Sequence, residues 1–201
     1  MALPFSPDVL RQVARLGGTW REVPTDASPL ARVEALSFPK RLVSAEEVPY
    51  LHPAEVGLPD VEAFIALDAP LPDVPVALPC GVRWCGHEWQ AGDITYPWDE
   101  GWGRDLPLVD LTADDAAVEE LEKFRQLVGD PRASRAVLLT YSDGYPNYLF
   151  INADDPHPGD PAVWSTDHEG FFREMEATAP SLSDWLGRQL TDEELYPLLR
   201  D

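Results

Sequence analysis

Residues 136–151 read AVLLTYSDGYPNYLFI and contain the clearest structural pattern of the chain. Two apolar runs, residues 136–141 and 148–151, flank the turn dipeptide Asp143-Gly144. Short apolar runs on either side of an Asp-Gly turn are typical of a β-hairpin. The sequence therefore predicts two antiparallel strands here, followed by a third strand at residues 162–165.

Helix starts around this predicted sheet are marked by capping residues, because a Ser or Thr hydroxyl accepts a hydrogen bond from an N–H of the first turn. Apolar residues at helical spacing follow the caps. The predicted helices start at Ser6-Pro7, Thr112 and Ser181, and a last helical turn starts at Thr191 with Glu194 three residues later. The helix after Ser181 is predicted to carry the apolar stripe Leu182, Trp185, Leu186 and Leu190.

The rest of the chain adds a second predicted hairpin at residues 82–89 and 94–98, where apolar and polar residues roughly alternate. Strands and helices thus interleave along the sequence. No internal repeat or linker divides them, so the sequence predicts a single α+β domain over residues 1–201.

The composition is that of a folded domain, with 44% hydrophobic and 10% aromatic residues in a chain of 201. No run of about 18 apolar residues occurs that would span a membrane. Residues 1–18 contain Arg11 and Arg15 and lack an apolar core with a small-residue cleavage site, so we expect no secretion signal. The two cysteines, Cys80 and Cys85, suit a reducing compartment, and the cytoplasm is the expected location.

Acidic residues dominate the charge, with 36 Asp and Glu against 15 Lys and Arg and a net charge of -21. No Lys or Arg occurs between Arg41 and Arg83, or between Arg135 and Arg173. Nucleic acid and anionic membranes need a basic surface, so both are excluded as expected partners. The charge favours cations or a basic protein partner, and solubility alone is the alternative interpretation.

Sequence motifs for catalysis are mostly absent: there is no Gly-x-Ser-x-Gly elbow, no phosphate-binding loop and no His-Glu-x-x-His helix. Cys80, Cys85 and His87 are three possible zinc ligands, but no second ligand pair follows at a fitting spacing. Two buried structural cysteines explain this pattern better than a zinc site. The sequence therefore predicts no cofactor.

The densest group of functional side chains lies between residues 154 and 169. Carboxylates and imidazoles can hold a hard cation or carry out acid/base chemistry, so a metal-assisted hydrolase is one interpretation. The alternation of a calcium loop is missing, however, and Asp, Pro and Gly are what exposed turns prefer, so a solvated turn or a protein-binding rim is the other. The group consists of Asp154, Asp155, His157, Asp160, Asp167, His168 and Glu169.

A series of motifs runs through the last third of the chain: YSDG at residues 141–144 turning into YLFI at 148–151, Val163-Trp164, Asp167-His168-Glu169, and SLSDWL at 181–186. Their order resembles the late region of the SUKH superfamily, the Smi/Knr-type proteins common among bacterial immunity proteins. The early pattern of that family is not clearly present, so residues 1–110 are interpreted as divergent or as carrying an insertion.

The resemblance implies an α+β fold with a central, mostly antiparallel sheet flanked by helices, and no enzymatic activity. It also implies binding and neutralisation of a cognate polymorphic toxin, often a nuclease or deaminase. The acid surplus agrees with such a partner, because a nuclease must be basic where it holds phosphate. The predicted contact residues are Tyr145, Asp154, Asp155, His157, Asp160, Asp167 and Glu169, with Trp98 and Trp102 as aromatic anchors. A regulatory adaptor or scaffold of the Smi/Knr type is the alternative.

Overall fold

The computed structural model describes residues 1–39, 42–46, 83–84, 108–112, 118–141, 148–166, 174–191, 193–195 and 198. Its helices are α1 (Pro7–Arg15), α2 (Pro29–Val33), α3 (Val118–Val128) and α4 (Leu182–Gly187). Its strands are β1 (Thr19–Trp20), β2 (Leu36–Ser37), β3 (Arg83–Trp84), β4 (Leu108–Asp110), β5 (Arg135–Tyr141), β6 (Tyr148–Asn152), β7 (Val163–Thr166) and β8 (Met175–Ala179). The protein is therefore α+β, as the sequence predicts.

The larger sheet has six strands, and every pair in it is antiparallel. β5, β6, β7 and β8 follow one another across it in chain order. The other side of β5 is shared by two short strands: β4 pairs with residues 135–137, and β3 pairs with Thr140 and Tyr141. β1 and β2 form a separate antiparallel pair.

The hairpin predicted from residues 136–151 is confirmed by β5 and β6, and the third predicted strand by β7. Its turn, Asp143-Gly144, lies outside the described residues. The pairing of β5 with β6 shifts register between Leu138 and Thr140, so β5 contains a bulge. Of the second predicted hairpin only Arg83–Trp84 is described, and it pairs with β5.

Successive residues of a strand point to opposite sides of a sheet, so apolar side chains of this sheet lie on both faces. Helices cover both of them. On one face Val137 belongs to a buried cluster with Val13 of α1 and Leu186 of α4. On the other face Phe150 packs against Phe124 of α3, with ring centroids 6.0 Å apart. Burial of each such side chain contributes roughly 1.5–3 kcal/mol to stability.

The predicted helix caps are confirmed wherever the structure describes them. The Ser6 hydroxyl accepts a hydrogen bond from the Val9 N–H at 3.3 Å, and the Ser181 hydroxyl accepts one from the Asp184 N–H at 3.1 Å. α4 is shorter than the predicted stripe, because it ends at Gly187. Leu190 therefore lies beyond the helix, where its N–H donates to the Val43 carbonyl at 2.7 Å.

Two glycines follow the end of α1, and glycine is needed at each for a different reason. Gly17 has a φ of 74°, in the left-handed region that glycine adopts without steric cost. Gly18 is where the chain passes close to the core: a Cβ there would lie 2.8 Å from the Val13 side chain and 2.9 Å from the Ser37 carbonyl oxygen. Glycine at this position therefore lets β1 start directly against the end of α1.

α3 confirms that a helix follows the predicted start at Thr112, and its 11 residues make it the longest helix described. The predicted start near Thr112 is followed by residues 113–117, which lie outside the described part of the chain. None of the helices that the structure describes is long and apolar enough to cross a membrane.

Five short elements are not predicted from the sequence: α2, β1, β2, β4 and β8. β8 reads Met-Glu-Ala-Thr-Ala, in which apolar and polar residues alternate, but Glu and Ala are depleted in strands and only Thr is β-branched. It is a strand because it lies beside β7 and completes that strand's hydrogen bonds. α2 did carry a usable signal, since Ser28-Pro29 repeats the cap-then-proline pattern of Ser6-Pro7.

Candidate protein-binding surface

The loop between β6 and β7 contains four of the predicted contact residues, and its shape depends on one of them. Asp155 is half-buried and accepts hydrogen bonds from the backbone N–H of His157 at 2.7 Å and of Ala162 at 3.3 Å. These bonds close the loop on itself. The His157 side chain is exposed, with its Nδ1 3.8 Å from an Asp155 oxygen.

Asp160 connects this loop to α4. Its carboxylate accepts from the Ser183 N–H at 2.8 Å and from the Ser183 hydroxyl at 2.6 Å. The neighbouring Gly159 carbonyl accepts from the Ser6 N–H at 2.7 Å, so the loop also contacts the start of α1. Asp155 and Asp160 are therefore structural acceptors in addition to being predicted contact residues.

Asp154 is paired with a cation of its own chain, because Arg135 Nη2 lies 2.6 Å from its carboxylate. Arg132 and Asp130 form a second ion pair in the preceding turn. The side-chain hydrogen bond from Arg132, followed by that from its backbone N–H, lowers the pKa of Asp130. The Asp154 charge is thus largely balanced inside this cluster.

The remaining predicted residues lie outside the part of the chain that the structure describes. They are Tyr145, Asp167, Glu169, Trp98 and Trp102, together with His168 and the possible zinc ligands Cys80, Cys85 and His87. Among the described residues no group of three or more His, Cys, Asp or Glu side chains is arranged to hold a metal ion.

Each Lys or Arg side chain that the structure describes has an acceptor within the same chain. Some of them pair with carboxylates: Arg11 with Asp8, Arg15 with Glu194, Lys123 with Glu119, Arg132 with Asp130, Arg135 with Asp154, and Arg188 with Asp184. The others donate to backbone carbonyls: Arg21 to Glu34, Arg32 to Ala27 and Pro4, and Arg125 to Ala133.

Many carboxylates have no such partner. Within the described ranges, the exposed acidic side chains that form no ion pair or hydrogen bond are Glu22, Asp26, Glu34, Glu46, Glu122, Glu174, Glu176 and Glu193. In the described part of the chain, these unpaired negative charges therefore lie on the surface and are not balanced by neighbouring cations. Counting charges along the sequence predicts the excess, but only the structure shows which carboxylates are left over.

The described tryptophans divide into buried and half-exposed side chains. Trp84 lies in the core, where its Nε1 donates to the Val33 carbonyl at 3.2 Å and its ring lies 6.4 Å from that of Trp185. Trp20 on β1 is 40% exposed, although it pairs across the strands with the buried Leu36. Because exposed tryptophans are frequent anchors in protein interfaces, Trp20 is a candidate that the sequence did not single out.

Comparison with known proteins identifies no relative of this chain. No family model, no curated protein and no solved structure matches the chain. The unbalanced charge of the described surface is therefore the feature from which a function is proposed.

Proposed function

We propose that this protein is a non-enzymatic binding protein whose acidic surface docks on a basic protein domain, and that this domain is a toxin which it neutralises. The proposal rests on one observation, which is that the described Lys and Arg side chains are paired with acceptors of the same chain. Every described Lys or Arg side chain already has an internal acceptor, whereas exposed carboxylates such as Glu122 and Glu176 have no cation partner.

Unpaired surface carboxylates have two physical effects on an encounter with another protein. They create a negative potential that accelerates association with a basic partner, by a factor of about 10–1000 at low salt. They also repel acidic partners and other copies of the chain, which makes the interaction selective. A surface of this kind therefore selects its partner by sign of charge before any close contact forms.

The resemblance to the SUKH superfamily supports a toxin as the partner. A domain that cleaves or deaminates nucleic acid must be basic where it holds phosphate groups. A protein that covers that basic site with its own carboxylates blocks access of the nucleic acid. No chemistry by the binding protein is needed for this effect.

The test is binding between the purified protein and the basic domain encoded by a neighbouring gene. We expect a stable complex by calorimetry at about 0.1 M salt, where charges interact over roughly 10 Å, and at least tenfold weaker binding at about 1 M salt, where that range falls to roughly 3 Å. In cells that express the basic domain, the protein should also restore growth.

Two outcomes would contradict the proposal. If no neighbouring basic domain binds, the protein is not an immunity protein. If several unrelated proteins bind with similar weak affinity and growth is not restored, it is an adaptor. A matched pair of variants on α3 shows whether charge is responsible: Glu122→Gln removes an unpaired charge, whereas Glu119→Gln removes one that is already paired with Lys123.

A further inference from the structure

β8 is the last strand of the larger sheet, and it pairs on one side only among the described residues. The N–H and C=O groups on the outer side of a terminal strand are a template for another strand. Glu176 and Ala177 of β8 are exposed, and Glu174 directly before the strand is exposed as well.

The first part of this edge, residues 174–177, carries only negative charge. β8 and the residue before it contain Glu174 and Glu176 and no Lys or Arg. Glu176 lies opposite the buried Ser165 on β7, so no basic side chain faces it across the pair. Cross-strand pairs of opposite charge stabilise a sheet, whereas like charges directly opposite one another destabilise it.

One end of the edge is closed by a side chain from α4. Arg188 Nη1 donates to the Thr178 carbonyl at 3.0 Å, while its Nη2 is held by Asp184. Thr178 is also where the register shifts, because Trp164 pairs with Ala177 and Val163 pairs with Ala179. A bulge and a charged side chain at a sheet edge both oppose unselective pairing.

We propose that the outer edge of β8 is the place where a basic, extended segment of the partner adds as a further strand. This inference rests on the proposed function and adds a site and a binding mode to it. Main-chain hydrogen bonds to residues 174–177 supply affinity, and Lys or Arg side chains of the segment lie beside Glu174 and Glu176. The bulge and Arg188 limit the paired stretch to this half of the strand.

A second copy of the chain is a poor occupant of the same edge. Each copy has a net charge of -21, and pairing β8 with itself brings two acidic strands together. The charge of β8 thus opposes pairing with a second copy while it favours a basic segment. Both properties come from the same two glutamates.

The test uses a synthetic peptide of alternating Lys and Val, acetylated and amidated at its ends. We expect it to bind the whole protein and to slow amide hydrogen exchange in residues 174–177. The matched peptide carries N-methyl groups on alternate residues, which keeps its charge but removes the donors along one edge. It should bind at least about tenfold more weakly, because strand addition depends on backbone hydrogen bonds.

Two variants with the same charge change locate the site. Glu174→Lys with Glu176→Lys should weaken binding of the unmodified peptide at least about tenfold, whereas Glu22→Lys with Asp26→Lys should weaken it less than about threefold. Circular dichroism and urea unfolding verify that both variants fold. Equal weakening by the two pairs, or equal binding of both peptides, would mean that only general charge attraction operates and would overturn the inference.

Two further results separate this inference from the proposed function. If the neighbouring basic domain binds and ignores the changes at Glu174 and Glu176, the β8 site is wrong while the proposed function stands. Binding of the peptide without binding of any such domain would contradict the proposed function instead. Slowed exchange in β8 that grows with protein concentration, without peptide, would assign the edge to a second copy and overturn the inference.

Discussion

Asp160 accepts two hydrogen bonds from Ser183, one from the backbone N–H at 2.8 Å and one from the hydroxyl at 2.6 Å. The two residues are 23 positions apart in the chain, and they connect the loop after β6 to the first turn of α4. Their contact changes the interpretation of the predicted acidic cluster. Part of that cluster maintains the fold, so a change there affects stability as well as any partner contact.

Replacing Asp160 should therefore destabilise the protein. Asp160→Ala leaves the Ser183 N–H and hydroxyl without their acceptor, and we expect a loss of about 1–3 kcal/mol in the free energy of unfolding. Urea denaturation followed by fluorescence measures it. The matched control is Asp26→Ala, an exposed carboxylate without a partner, for which the change should stay within about 0.5 kcal/mol. Equal effects of the two changes would show that the Asp160 contact has no energetic role.

Arg15 should have a larger role than the other arginine of α1. Its Nη2 donates to the carbonyls of Leu186 at 2.9 Å and Gln189 at 2.7 Å, which leaves α4 with satisfied carbonyls at its end. We expect Arg15→Ala to cost about 2 kcal/mol in unfolding free energy, since hydrogen bonds to a charged donor contribute about 1.5–3 kcal/mol. Arg11→Ala removes only an exposed pair with Asp8 and should cost less than about 1 kcal/mol.

A change at Thr140 should stabilise the protein. Thr140 is fully buried on β5, and its hydroxyl oxygen has no hydrogen-bond partner among the described residues. Thr140→Val keeps the shape and removes the unsatisfied group, so we expect a gain of about 1 kcal/mol in thermal or urea unfolding. Thr140→Ser keeps the hydroxyl and removes the methyl group, and it should lower stability. A loss of stability in the valine variant would mean that the hydroxyl does have a partner.

Gly18 should not tolerate a side chain. A Cβ at this position would lie 2.9 Å from the Ser37 backbone oxygen, which cannot move without disturbing β2. We expect Gly18→Ala to cost about 1–3 kcal/mol, as is usual for overpacking. Gly187→Ala provides the comparison, since its nearest neighbour would be 3.9 Å away and alanine favours a helix by up to about 1 kcal/mol. The two variants should therefore shift the unfolding midpoint in opposite directions.

Acid should weaken the last helical turn through Glu194. The Thr191 N–H donates to the Glu194 carboxylate at 2.8 Å, and this backbone hydrogen bond, aided by Arg15, holds the pKa of Glu194 below its ordinary value. A carboxyl group whose pKa is lower in the folded state stabilises the fold above its unfolded pKa, and that contribution is lost as the pH falls through the folded pKa.

Titration of the Glu194 carboxyl by NMR measures this pKa directly, and the value should lie below that of the unfolded chain. Glu194→Gln should reduce the loss of stability on acidification. Because the side chain is about half exposed, with a relative accessibility of 52%, the effect on stability should be modest. A Glu194 pKa equal to that of the unfolded chain would contradict this prediction.

Local patterns of the sequence predicted a substantial part of the fold. The caps at Ser6 and Ser181 and the apolar runs of β5 and β6 are confirmed, because a cap or a short apolar run depends on residues that are neighbours in the chain. β8 was not predicted, since the alternation in Met-Glu-Ala-Thr-Ala is short and is carried by residues of low strand propensity. Its conformation comes from β7 beside it.

The candidate binding surface was likewise predicted only in part from the sequence. Composition alone determined that the chain is strongly acidic, and local patterns determined where its main hairpin and its capped helices begin. Which carboxylates are exposed and unpaired, and which accept internal hydrogen bonds as Asp160 does, depends on the folded arrangement. These contacts join residues that are far apart in the chain. Arg15 meets Glu194 across 179 positions, and no local pattern can predict a contact that forms only after the helices have packed on the sheet.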